Sequence, residues 1–276
     1  ETAAGNFVTV EDLSSTNDKI AVLEKQNNST SWAESIKWKG DFRYRYEDIE
    51  EDGKEDRDRN RIRARAALIA KPSDTTEVGL GLATGSEDPV STNQTLGGGG
   101  STKDINLDLG YLKWTGLENT YVTAGKFKNP FYTEQKSSLI WDGDFRPEGI
   151  SAGWENETFF ANASYSFIES DSRNDDANDL ETGYLAGVKL GKAKNRGSWQ
   201  LQYQYEDLEA DATFGLITDS DFMGGGTDGE GHKLSGKYML DDKWYLGATY
   251  FDGNRGVDLG NDADYQRLML DTGFKY

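Results

Sequence analysis

The sequence predicts an all-β fold, a transmembrane antiparallel β-barrel of about twelve strands, and three observations carry that prediction. From residue 35 to the C-terminus, apolar and polar side chains alternate with a period of two in segment after segment, the signature of strands with one greasy and one wet face. Trp, Tyr or Phe recurs on the greasy face of most of these segments, as in the aromatic girdles of membrane barrels. The connections between segments alternate between short and long, as turns on one side of a membrane and loops on the other would.

Composition agrees. The chain has 276 residues, 35% hydrophobic and 12% aromatic, with 32 glycines and 4 prolines. Its mean hydropathy is −0.77. That low value fits a barrel, whose strands are half polar by construction. No apolar run reaches the ~18 residues of a membrane helix. A net charge of −19 excludes nucleic acid as a partner, because a phosphate backbone needs a basic face. The absence of cysteine removes thiol catalysis and thiolate metal sites. The opening Glu1-Thr2-Ala3-Ala4 reads as a mature chain after signal-peptide removal.

The segments are taken in order. In the first, Ile36, Trp38, Phe42, Tyr44 and Tyr46 share one face, while Lys37, Lys39, Asp41, Arg43, Arg45 and Glu47 share the other. The second sets Ile62, Ala64, Ala66, Leu68 and Ala70 against Arg59, Arg61, Arg63, Arg65 and Lys71. Val78, Leu80 and Leu82 follow, and then Ile105, Leu107, Leu109 and Tyr111 as one apolar face. Around 119 to 128, Tyr121, Thr123 and Phe127 oppose Lys126 and Lys128. Ile150, Ala152 and Trp154 form a short segment, and Phe159, Ala161, Ala163, Tyr165 and Phe167 the next. The remaining faces are Tyr184 to Leu190, Trp199 to Tyr205, Leu234 to Leu240, Trp244 to Tyr250, and Leu268 to Tyr276. Trp38, Tyr44, Trp199, Tyr203, Trp244 and Tyr250 are expected to face lipid. Long connections are expected at 48–58, 86–103, 129–148, 169–179, 207–230 and 252–263. An even strand number puts both ends of the barrel on the short-turn, periplasmic side.

Residues 1–34 stand apart as an N-terminal periplasmic segment, with the barrel over 35–276. Val10, Leu13, Ile20 and Leu23 have helical spacing, which suits a short helix or coiled coil as well as it suits an unstructured leader.

Three segments resemble a family of bacterial outer-membrane porins: Gly125-Lys126-Phe127-Lys128-Asn129-Pro130-Phe131, Trp141-Asp142-Gly143-Asp144-Phe145-Arg146-Pro147-Glu148-Gly149, and Asp211 to Gly215 running on to Asp219-Ser220-Asp221-Phe222. The C-terminal Leu270 to Tyr276 is similar to the signal read by outer-membrane assembly machinery. The resemblance spans the chain from about residue 35. It implies an integral outer-membrane channel, surrounded by lipid and lipopolysaccharide, through which small hydrophilic solutes and ions diffuse, and a homotrimer. It also implies that the third long loop folds inward.

The polar face then lines the pore with Lys37, Lys39, Arg43, Arg45, Arg59, Arg61, Arg63, Arg65, Lys126 and Lys128. Asp142, Asp144, Arg146 and Glu148 belong to the constricting loop. Carboxylates charged at neutral pH are expected across a narrow gap from the arginines, a transverse field that would set ion selectivity. Asn in place of Asp142 and Asp144 should move selectivity toward anions, and Ser in place of Arg61 and Arg63 toward cations.

No cofactor or metal is expected, although the acidic stretches Asp171 to Asp179 and Asp258 to Asp264 could hold Ca²⁺ through oxygen ligands. The rival functions are a barrel that anchors adhesive or structural loops and, further off, a barrel hydrolase. His232 is the only histidine, and Ser235 has the opposite strand parity, so no nucleophile–base pair is visible and no enzyme is expected. Gly97 to Gly100 reads as a loop tip, since no helix follows it with the Lys-Ser/Thr of a phosphate loop.

Overall fold

In a computed structural model, the described residues are 14–24, 35–130, 141–155, 160–167, 180 and 182–276. Thirteen strands are present: β1 (Lys37–Glu51), β2 (Arg57–Ser73), β3 (Thr76–Thr84), β4 (Gln94–Thr95), β5 (Ile105–Trp114), β6 (Thr120–Lys126), β7 (Glu148–Glu155), β8 (Phe160–Ser166), β9 (Gly183–Gly191), β10 (Trp199–Leu208), β11 (Gly229–Met239), β12 (Trp244–Arg255) and β13 (Ala263–Lys275). All belong to one antiparallel sheet, ordered β8-β7-β6-β5-β3-β2-β1-β13-β12-β11-β10-β9, with the two-residue β4 added to β2. The first and last strands pair from Asp41↔Lys275 to Glu51↔Tyr265, so the chain's two ends meet within the wall and neither terminal strand is left as an edge; the ladder order itself runs from β8 to β9.

The alternation of the sequence becomes the two faces of this wall. Trp38, Tyr44, Trp199, Tyr203, Trp244 and Tyr250 are all exposed on the outside, Trp38 to 66%. Lipid satisfies such a surface, whereas water would not tolerate one this large on a monomer. Inside, the register aligns Asp41 with Arg65, Arg43 with Arg63, Arg45 with Arg61 and Glu47 with Arg59.

Two strands depart from the expected parity. Gly81 pairs with Leu109 but Leu82 with Leu107, an irregularity that gives β5 one extra residue. A bulge of this kind rotates everything beyond it to the other face. Ile105 and Leu107 therefore stay outside, while Leu109 is buried inside and the Tyr111 hydroxyl donates to Glu77 at 2.8 Å. The rotated register carries into β6, where Lys113 pairs with Thr123 and Tyr111 with Gly125. Thr123 and Phe127 are buried inside, and the Lys113 ammonium lies 4.8 Å from the centre of the Tyr121 ring. These three residues are not lipid-facing.

Two connections expected to be long are shorter than expected, because the strands run on into them. β1 and β2 leave only residues 52–56 between them, and β12 and β13 leave 256–262. Here the hairpins run on with polar residues on both faces, so period-two hydropathy fades before the ladder does. The stretches 85–104, 127–147 and 209–228 do lie between strands. Residues 14–24 form a helix exposed along its whole length.

Part of the interior is packed like a protein core. Ile49, Phe222, Met223, Phe251, Tyr265 and Met269 form one buried cluster, in which the Phe222 and Phe251 rings meet at 6.4 Å. Phe222 and Met223 come from the β10–β11 connection, so that connection folds into the barrel and docks on β1, β12 and β13. Met223, Gly224, Gly225 and Gly226 all have positive φ, 42°, 82°, 86° and 92°. Three successive glycines make this reversal affordable where side chains would strain it.

Candidate functional site

The site is a charge network on the inner face of β1, β2 and β13, with three inserted loop segments seated on it. Arg45 is 3% exposed. It grips Asp271 in a bidentate pair, Nε to Oδ1 at 2.7 Å and Nη2 to Oδ2 at 3.1 Å. Its Nη1 donates to Asp221 at 2.9 Å and to Glu47 at 3.4 Å. Arg267 donates to the same two acids, Asp221 at 2.8 Å and Glu47 at 3.0 Å. Glu47, fully buried, also takes Arg59 at 2.5 Å and Arg61 at 3.5 Å. A carboxylate shut away from water is tolerable only with such pairing.

Lower on the same wall, Asp41 accepts from Arg63 at 3.1 Å and from Arg65 at 2.6 Å. Arg65 also reaches Asp144 of the β6–β7 loop at 2.8 Å, with Arg63 at 3.6 Å. Asp144 accepts the Thr92 hydroxyl at 2.7 Å, while Arg61 donates to Ser91 at 3.2 Å and Arg43 to Asn93 at 2.6 Å. The segments around 91–93, 142–146 and 219–223 are thus fixed to one wall by its arginines. They are also tied to one another. The Asp142 amide donates to Ile217 O at 2.7 Å, the Ser220 amide to Asp142 Oδ2 at 3.1 Å, and the Ser220 hydroxyl to Val90 O at 3.1 Å.

Several sequence expectations change here. Arginines and loop carboxylates touch directly, so no gap lies between them. Asp144 and Arg146 are inside, the latter ion-paired with the buried Asp108 at 3.0 Å. Glu148 pairs across the ladder with Lys126, and the two form an ion pair at 2.6 Å; both follow the outer parity of their strands, yet they border the same cavity as Asp108, Asp144 and Arg146. Lys37 and Lys39 hold the inner parity at the turn end of β1 and are exposed. Lys128 feels Arg146, Arg65 and Lys39 from within the barrel, and burial together with these like charges lowers its pKa.

Asp142 meets backbone amides rather than guanidinium groups. Burial, then repulsion from Asp219, pushes its carboxyl up to about 8, which favours the protonated form at neutral pH. Burial alone would also raise Asp144, but Arg63 and Arg65 overcome it and hold that carboxyl at about 2. Asp221 is drawn well below the usual range by Arg267 and Arg45 against the same burial. The two loop acids facing each other in sequence therefore have opposite linkage. A carboxyl raised in the folded state favours folding most below its unfolded value near 4, and that advantage fades as pH rises toward 8. A depressed one contributes above pH 4 and loses its effect as pH falls toward 2. The wild-type barrel is expected to lose urea resistance between pH 5 and pH 8, and Asp142→Asn to flatten that slope. An equal slope in the variant would remove Asp142 as its source.

Asp41, Glu47, Asp221, Arg267 and Asp271 were not among the site residues expected from sequence. Their strand parity marked four of them as polar-facing, and Asp221 sits in one of the quoted motifs. What was missing was the pairing of β1 with β13.

The acidic stretch 171–179 lies outside the described residues. Among the described residues no cluster of three or more His, Asp or Glu is arranged to hold a metal. Asp258 instead accepts the Ala210 amide at 3.1 Å. His232 hydrogen-bonds Tyr203 at 2.8 Å on the outer parity, while Ser235 pairs with Gln202 on the inner one.

An antiparallel barrel with a greasy exterior and a loop-narrowed, charged interior is the architecture of an outer-membrane channel. The chain belongs to the family described as "Putative porin", whose sequence profile matches residues 49–169 and 151–271. That family is one of channels rather than catalysts, and its place is the bacterial outer membrane. No curated protein matches the sequence. Among solved structures the chain is similar to OmpF of Salmonella typhi in complex with daunomycin, at 7% identity and a TM-score of 0.40 over 89% of this chain and 99% of that one. It is also similar to a triple mutant of a Rhodopseudomonas blastica porin, at 11% identity and a TM-score of 0.35 over 87% and 100%.

Proposed function

We propose that this protein is a passive diffusion channel for small hydrophilic solutes and ions, assembled as a homotrimer with both termini in the periplasm. The observation that carries the proposal is the set of three loop segments pinned inside the barrel to one arginine wall. A barrel serving only to anchor surface loops has no need to fill and charge its own lumen. Because arginines and loop acids are in contact, the solute path runs along the far side of the inserted loops, past the inner faces of β7 to β10. Selectivity then depends on the charge left over on the loop surface and on the arginines that the loops do not neutralise. The trimer is supported by the helix at 14–24, which exposes Ile20 and, at 62%, Leu23; apolar positions at this spacing are what a short coiled coil buries.

Reconstitution of the full chain in planar bilayers is expected to give discrete conductance steps with ohmic behaviour at low voltage. Native mass in mild detergent is expected to be three times that of the chain. A folded barrel that carries no current would leave the anchoring role in its place, and a monomer carrying full current would remove the trimer from the proposal.

A further inference from the structure

Seven arginines and five acids make up the lumen network: Arg43, Arg45, Arg59, Arg61, Arg63, Arg65 and Arg267 against Asp41, Glu47, Asp144, Asp221 and Asp271. Six of the arginines are ion-paired. Arg43 has no ion pair among the described residues, and its one hydrogen bond is from Nη2 to the neutral Asn93 side chain at 2.6 Å. Its Nε is buried with no acceptor, and no bond from its Nη1 is present among the described residues. A half-buried guanidinium surrounded by others is costly unless a counter-charge completes it.

The surroundings leave room for one. On β2 the residue across from Arg43 is Arg63, already engaged with Asp41. On β13 it is Gly273, and beyond that on β12 lies Tyr245. A side chain at Gly273 would collide with the Tyr245 ring, at 2.5 Å from its hydroxyl oxygen, so the phenol leans across the glycine toward Arg43. Lys237 caps the other side of that ring at 3.8 Å from its centre. A guanidinium edge and a phenol hydroxyl therefore converge at a place where, among the described residues, no carboxylate bonds Arg43, although Asp271 and Asp221 are near enough to act on it electrostatically.

We propose that Arg43 is the anchor of an anion site in the lumen, which takes a small oxyanion (a carboxylate or phosphate group) on Nη1 with Tyr245 beside it. Oxygen acceptors in a plane match the guanidinium fork better than a spherical halide does. The inference rests on the channel reading only for the anion's route of entry. Calorimetry in detergent reads occupancy without any current, so the failure of one leaves the other standing.

The test is titration of the full-length chain, folded in detergent micelles, with inorganic phosphate and separately with acetate, against a chloride control at matched ionic strength. One saturable site per chain is expected for either oxyanion, and Arg43→Gln is expected to weaken it about tenfold or more, the effect of losing a charge-assisted hydrogen bond. Arg43→Lys keeps the charge without the fork and serves if the glutamine variant does not fold; weakened binding there supports the site equally. Wild-type titration curves in either folded variant, or no heat in the wild type beyond the chloride control, would overturn the proposal.

Discussion

Arg45→Ala is expected to lower the unfolding free energy of the barrel by about 3–5 kcal/mol, the usual cost of removing one partner from a buried ionic network. Arg45 joins three acids from different parts of the chain, Glu47 on its own strand, Asp271 on β13 and Asp221 in the β10–β11 loop. Truncation leaves Asp271 without an ion pair among the described residues, while Glu47 and Asp221 retain Arg267. Arg59→Ala is the contrast. It touches only Glu47, which keeps Arg61 and Arg267, so about 1 kcal/mol is expected there. Urea titration of the folded barrel in detergent reads both. Equal losses in the two variants would mean that the network does not act as a unit.

The second large effect concerns current. Asp144→Asn combined with Asp221→Asn removes the carboxylates that hold two of the inserted segments to the wall. Hydrogen bonds to charged groups contribute about 1.5–3 kcal/mol each, and Arg45, Arg65 and Arg267 each lose one or more. The segments are expected to detach, single-channel conductance to rise, and the reversal potential in a salt gradient to move toward anions, because seven arginines then face three acids. Asp142→Asn alone is expected to leave selectivity at pH 7 unchanged, since that carboxyl already favours the neutral form there. This replaces the simpler expectation that Asp142 and Asp144 act alike. If the double variant conducts and selects as the wild type does, the loops are not the constriction.

Much of this was legible in the residues themselves. Period-two alternation put Trp38, Trp199 and Trp244 outside and Arg43 to Arg65 inside, because a strand has only two faces. It failed at β5, where one extra residue near Asp108 exchanges the faces without any mark in hydropathy. It failed again at Tyr121, since an aromatic residue need not be lipid-facing when a lysine can cover its ring, as Lys113 does there. The site was half visible. Parity showed which charges face inward, but pairing across β1 and β13 joins residues more than 200 positions apart, such as Arg45 and Asp271. The environment of the Asp142 carboxyl was hidden for a related reason: it is buried against the β10–β11 loop, and no local pattern reports that contact.

The placement of the network has a consequence for how the molecule is built. Arg45 and Glu47 belong to the first strand, and Arg267 and Asp271 to the last. Until those strands meet, the socket for Asp221 is split, with Arg45 on one half and Arg267 on the other. The apolar seat for Phe222 and Met223 is split in the same way, Ile49 on the first strand and Phe251, Tyr265 and Met269 on the last two. The full seating of that loop, and the narrowing it brings, is therefore contingent on the joining of the chain's two ends. The docked loop is the mark that the first strand has met the last.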